Sequence, residues 1–166
     1  MYATEIVLWS LQGFLALFFI AAGAPKMFGR GLERWTGFTD LPRPLVLLIG
    51  ITEVLGALGL VLPMAIDTQP WLTPLAAVGL AISVLMATGF HIRGDEGLPA
   101  LETTLWAALA SVVAIGRWDL IIPGAEVPGW TLIVAVAVLF PAAIANIIVI
   151  WRATSTPTDA TPALQT

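Results

Sequence analysis

Residues 45–63 read LVLLIGITEVLGALGLVLP, an apolar run in which Glu53 alone is ionisable. Pro42 and Pro44 precede the run and Pro63 closes it, so local chain-breakers bound it on both sides. A hydrocarbon core about 30 Å thick needs roughly 20 apolar residues in helical form. The run therefore reads as a membrane span with a carboxyl group inside it. Four further segments reach or approach the required length, roughly 6–27, 72–91, 98–116 and 130–151. Pro25, Gly29 and Gly31 mark the end of the first, and Pro70 and Pro74 bracket the entry to the third. Gly94, Gly97 and Pro99 separate the third from the fourth, and Pro123-Gly124 and Pro128-Gly129 precede the fifth. The fold expected is an all-α membrane protein of five helices, with residues 1–152 as one transmembrane domain. Residues 153–166, rich in Thr, Pro and Ala, are expected to form a disordered cytoplasmic tail.

Composition leads to the same class. Of 166 residues, 58% are hydrophobic and 11% charged, whereas a soluble domain carries about 25% charged residues. Such a chain has too few polar groups to cover its surface in water. The seven Lys and Arg residues are scattered and form no basic stripe, so no nucleic-acid partner is expected. The chain contains no cysteine. That excludes a disulfide framework, thiol–disulfide exchange, Fe–S clusters and any Cys-ligated metal. With a single histidine, bis-His haem ligation within one chain is excluded as well. No basic region precedes the first apolar segment, so residues 6–26 are expected to remain as a helix rather than leave as a signal peptide.

Basic residues near the span ends set the expected orientation. With the N-terminus outside, the inner segments hold Lys26, Arg30, Arg34, Arg43, Arg93 and Arg152, and the outer ones only Arg117. Under the positive-inside rule this predicts an outside N-terminus and an inside C-terminus. Trp130 and Trp151 bracket the fifth span about 31 Å apart, a separation suited to two interfacial belts. In the first loop, Leu32, Trp35 and Phe38 alternate with Arg30, Glu33 and Arg34, as in a short interfacial helix.

Small residues mark where membrane helices touch. Gly79, Ser83 and Ala87 recur at every fourth position of the third span and lead to His91. In the second span Gly50, Glu53, Gly56 and Ala57 share a face, and in the first Gln12, Ala16, Gly23 and Lys26 do so with Phe19 between them. Glu102, Trp106, Leu109, Val113 and Arg117 form a row in the fourth.

By helical rise, Glu53 stands about 12 Å in from Leu45, near mid-membrane, and Glu102 about 6 Å in from Leu98. Lys26 and His91 end spans that finish on the same side. A carboxylate at the bilayer centre costs on the order of 3 kcal/mol or more, so it needs a proton, a partner or a ligand. Glu53, His91 and Glu102 are the candidate acid–base groups, and Gln12, Lys26, Glu53 and His91 the candidate pocket for a cofactor or ligand. Plainer roles stand beside these. Lys26 and Arg117 read first as interfacial anchors, His91 and Glu102 equally as boundary residues, and Glu53 as a protonated helix–helix donor. Two Glu and one His spread over different depths make no metal site.

The segments Gly23-Ala24-Pro25-Lys26-Met27, Gly50-Ile51-Thr52-Glu53-Val54-Leu55-Gly56 and Ala76-Ala77-Val78-Gly79-Leu80, with Phe90-His91 ending the third span, resemble the DoxX-like family of small bacterial membrane proteins. The resemblance covers roughly residues 6–117 and implies a four-helix transmembrane core, to which the fifth span is an addition. It also implies that the family's acidic residue in the second helix and histidine ending the third correspond to Glu53 and His91. Some members are similar to a subunit of a thiosulfate:quinone oxidoreductase, and others associate with redox-defence enzymes.

These readings leave three functions open, all at a bacterial plasma membrane. The first is an accessory subunit of a redox system that contacts quinone or another lipophilic molecule, with a partner subunit or a second copy of the chain beside it. The second is a small proton-coupled or polar-solute transporter. The third is a self-contained enzyme acting on a lipophilic substrate, which would need an enclosed pocket of roughly 300 Å³ or more around Glu53.

Overall fold

A computed structural model describes residues 2–29 and 41–155. Five of the described helices are long and apolar enough to cross a membrane. They are α1 (Tyr2–Phe28), α2 (Arg43–Ala65), α3 (Leu72–Arg93), α4 (Gly97–Gly116) and α5 (Gly129–Ser155), with a single 3₁₀ turn, Trp118–Leu120, after α4. The protein is an all-α, multi-pass membrane protein. The expected interfacial helix of the first loop and most of the expected C-terminal tail lie outside the described residues; residues 153–155, expected in the tail, end α5.

The helices begin and end for local reasons. Pro42 caps α2 and Pro44 occupies its first turn, where its missing N–H leaves no acceptor unserved. The N–H of Gly94 bonds back to the carbonyls of Phe90 and His91 and ends α3, and Asp95 turns the chain at a positive φ of 55°. α1 and α2 end one and two residues beyond the spans expected from the sequence, with Pro25 and Pro63 inside them. Both prolines lie within the final turn or so, and α1 and α2 run on to Phe28 and Ala65. Each proline leaves the carbonyl four residues back, of Ala21 or Gly59, without its N–H donor, and only the last two or three residues of the helix follow it. The carbonyls left at the end of α1 are taken up by Arg43, which donates to Lys26 O and, at 2.8 Å, to Met27 O.

α1 packs on α2, α2 on α3, α3 on α4, and α4 returns to α1, closing a four-helix bundle; α5 lies against α4 and α1. The core is built from Leu8, Leu11, Leu15 and Phe19 of α1 with Leu60, Leu80, Trp106, Leu109 and Val113 from the other helices. Trp106 stacks on Phe18 at 4.2 Å between ring centroids, and Phe14 meets Phe140 of α5 edge-on at 4.7 Å. Leu17, Leu55, Leu85, Met86 and Val138 stand exposed on the outer faces, where lipid is their solvent.

Three of the expected contact faces are buried as read. The Gly79, Ser83, Ala87 stripe is not. Gly79 is exposed, and a Cβ built on it would meet nothing. α3 instead packs through Ala77, Leu80, Ala81 and Val84. Glycines of α2 let the seam close: a Cβ on Gly56 would strike the Leu80 side chain at 2.7 Å, and one on Gly59 the Ala76 methyl at 2.7 Å. They meet Leu80 and Ala76 of α3 on a different face from the Gly79 stripe.

Candidate functional site

The bundle has two ends. One carries the end of α1 and the starts of α2 and α4; the other carries the start of α1 and the end of α4. Each holds a polar cluster.

At the first end, Lys26 in the last turn of α1 donates from Nζ to both carboxylate oxygens of Glu53 in α2, each at 2.6 Å. Lys26 is 4% exposed and Glu53 7%. The expected snorkelling anchor is thus a buried partner in an ion pair. What brings them together is the approach of two glycines. A Cβ on Gly23 would lie 2.9 Å from Gly50 O, and one on Gly50 would lie 2.8 Å from Gly23 O and 2.9 Å from Lys26 Cβ. Any side chain at either position would hold the backbones apart and lengthen the pair. Burying two charges is repaid only when their geometry and hydrogen bonding are good, and loss of one partner leaves the other stranded.

His91 and Glu102 lie at this same end but in the seam between α3 and α4. His91 Nδ1 is 2.6 Å from Glu96 Oε2, across the turn that follows α3. Glu102 accepts from the Trp106 indole N–H at 3.3 Å and is within electrostatic reach of His91. The hydroxyls of Thr88 and Thr103 bond across the seam at 2.8 Å, and Asn146 of α5 donates to Leu98 O at 3.0 Å. Among the described residues, no three His, Asp or Glu side chains gather where an ion could sit.

Gln12 belongs to the other end. It stands 14 residues before Lys26, about 21 Å along α1, so the structure does not bring it to Lys26, Glu53 or His91. Its Nε2 donates to Leu60 O at 2.6 Å, and its Oε1 accepts from Arg117 Nε at 3.0 Å. Arg117, just past α4, donates through Nη1 to both oxygens of Glu5 at 2.8 Å, and its guanidinium lies 5.8 Å from the centre of the Trp9 ring. Arg117 is 5% exposed, whereas the Glu5 side chain is 53% exposed. Position near a span end made Arg117 an anchor in the sequence. A usable signal was present on α1, where Glu5 and Gln12 stand seven residues apart on the face that also carries Leu8 and Leu15. The pairing of His91 with Glu96 also went unread, although only a glycine turn separates the two.

An apolar groove of about 550 Å³ opens between α3 and α4 towards the Arg117 end. Ile82, Leu85, Ser111, Ile115, Trp118 and Val127 are among its walls. Glu53, Lys26 and His91 take no part in it. Its lining suits a hydrocarbon tail and offers little to an acid–base reaction.

Among known proteins, the family model for the DoxX-like family matches residues 10–116, and the chain belongs to that family. The match spans α1 to α4 and stops before α5. No curated protein and no solved structure matches the chain.

Proposed function

We propose that this DoxX-like protein is a non-catalytic, accessory subunit of a membrane redox system, holding a quinone or another lipophilic molecule for a partner subunit. The observation that carries the reading is the disposition of its strongest acid–base candidate. Glu53 meets Lys26 through both oxygens, in a buried seam fixed by two glycines. A carboxylate so engaged holds helices together; it is poorly placed to take a proton from a substrate. The groove between α3 and α4 supplies the apolar surface that a prenyl or acyl tail would need.

The proposed location is the bacterial plasma membrane, with the N-terminus outside and residues 1–152 as a single transmembrane domain. The Lys26 end then faces the cytoplasm. This orientation rests on the six-to-one distribution of Lys and Arg read above. Lys26 and Arg117 are both interior groups rather than flanking charges, and setting both aside leaves five basic residues on the inner side and none on the outer.

Deletion of the protein is expected to slow quinone reduction in isolated membranes, and protein purified in mild detergent is expected to carry quinone. Unchanged quinone reduction on deletion, together with a purified protein free of quinone, would reject the reading.

A further inference from the structure

Two buried side-chain N or O atoms lack a partner among the described residues, Arg117 Nη2 and Thr73 Oγ1. Arg117 follows α4 and Thr73 sits in the first turn of α3, so both belong to the same end of the bundle. A charged N–H buried without an acceptor is costly, and the hydrocarbon tails of the bilayer cannot supply one. From this we infer that the Arg117 corner is a binding site for the carbonyl oxygen of a neutral, membrane-soluble molecule.

The guanidinium is already oriented for that task. Glu5 holds Nη1, Gln12 holds Nε, and Gln12 is itself fixed by Leu60 O, so Nη2 is the donor left over. Trp9, half-buried, offers a flat apolar surface beside it. The Glu5 side chain is half exposed, so the corner borders the outside of the bundle there. Charge selects a neutral ligand over an anion. Glu5 neutralises Arg117, and the other charged side chains in the described loops at this end are Asp67, Asp119 and Glu126. A phosphate or carboxylate head would compete with Glu5 for the guanidinium at an end whose other described loop charges are all acidic; a carbonyl would accept the hydrogen bond without that repulsion.

A quinone ring and the ester of a neutral lipid both present such an oxygen. The inference rests on the proposed function only for the expectation that the ligand is lipophilic, and it does not require the groove to be filled. The test is calorimetric titration of the full chain in detergent with a short-chain benzoquinone, a short-chain diacylglycerol and decyl phosphate. One of the two neutral probes is expected to saturate the wild type and decyl phosphate to bind at least tenfold more weakly; which neutral probe binds identifies the source. Arg117→Lys, which keeps the charge but loses the fork of donors, is expected to weaken the neutral probe tenfold or more. Glu5→Gln, which keeps an acceptor beside Arg117 and removes its counter-charge, is expected to raise decyl phosphate affinity at least tenfold. Failure of both neutral probes on the wild type would mean that Nη2 holds only water, and would overturn the inference. Neutral binding indifferent to Arg117→Lys, or wild-type preference for decyl phosphate, would overturn it too. If binding follows Arg117 while deletion leaves membrane quinone reduction unchanged, the site stands and the redox role falls.

Discussion

The two ends of the bundle solve the same problem differently. Each places a basic side chain among apolar helices and opposes it with a glutamate. At the Lys26 end both partners are buried, and Lys26 meets both oxygens of Glu53 between helices that touch at Gly23 and Gly50. At the Arg117 end the cation is buried but its glutamate is half in the open, and one guanidinium nitrogen has no acceptor among the described residues. The first arrangement is closed and serves to hold α1 against α2. The second leaves a guanidinium donor unused beside a half-exposed glutamate, and that unused donor is what the proposed carbonyl site draws on. The family match spans both ends, since it runs from residue 10 to residue 116 and so covers Gln12, Lys26 and Glu53, with Arg117 immediately beyond.

The largest effect that could break this contrast lies at the closed end. Lys26→Met or Glu53→Leu alone strands a buried group, and either is expected to destabilise the protein by about 3–5 kcal/mol, read as a fall in the unfolding midpoint in detergent. The double variant Lys26→Met/Glu53→Leu is expected to recover most of that loss, because two apolar side chains can replace a buried pair. Equal destabilisation by single and double variants would show that the pair is not a unit. Next comes Gly50→Ala. Its Cβ would press on the Gly23 carbonyl and on Lys26 Cβ, and overpacking of this kind costs about 1–3 kcal/mol. The same substitution at Gly79 meets open space and is expected to change stability little. Among the charged groups, the smallest effect is at the open end. Glu5→Gln takes the counter-charge from the buried Arg117 but keeps an acceptor beside it, and is expected to cost about 1–2 kcal/mol, less than either single change at the closed end, however much it alters binding. A cost as large as that of Glu53→Leu would erase the distinction between the two ends.

Much of the fold was legible because a bilayer sets strict terms. Span length and Pro/Gly punctuation placed five helices, and the residue types accompanying Glu53 and Gln12 marked two faces that are indeed buried. The α3 stripe misled for a physical reason. Small residues permit close approach but do not require it, and Gly56 and Gly59 of α2 already made room for Leu80 and Ala76. The candidate site was legible along each helix axis but not across helices. Rise per residue put Lys26, Glu53, His91 and Glu102 towards one end, yet it could not say that Lys26 would reach Glu53 while His91 turned to Glu96. Arg117 was hidden by its position, since a residue at a span boundary reads as an anchor until Glu5 and Gln12 are seen beside it.

The central claim is that Lys26 and Glu53 hold the bundle together rather than carry out chemistry. The most direct test is quinone reduction by membranes from cells in which the Lys26→Met/Glu53→Leu variant replaces the wild type, with its amount in the membrane matched to that of the wild type. The account predicts activity close to wild type and well above that of the deletion. A variant present at full level, with activity no better than the deletion, would contradict it.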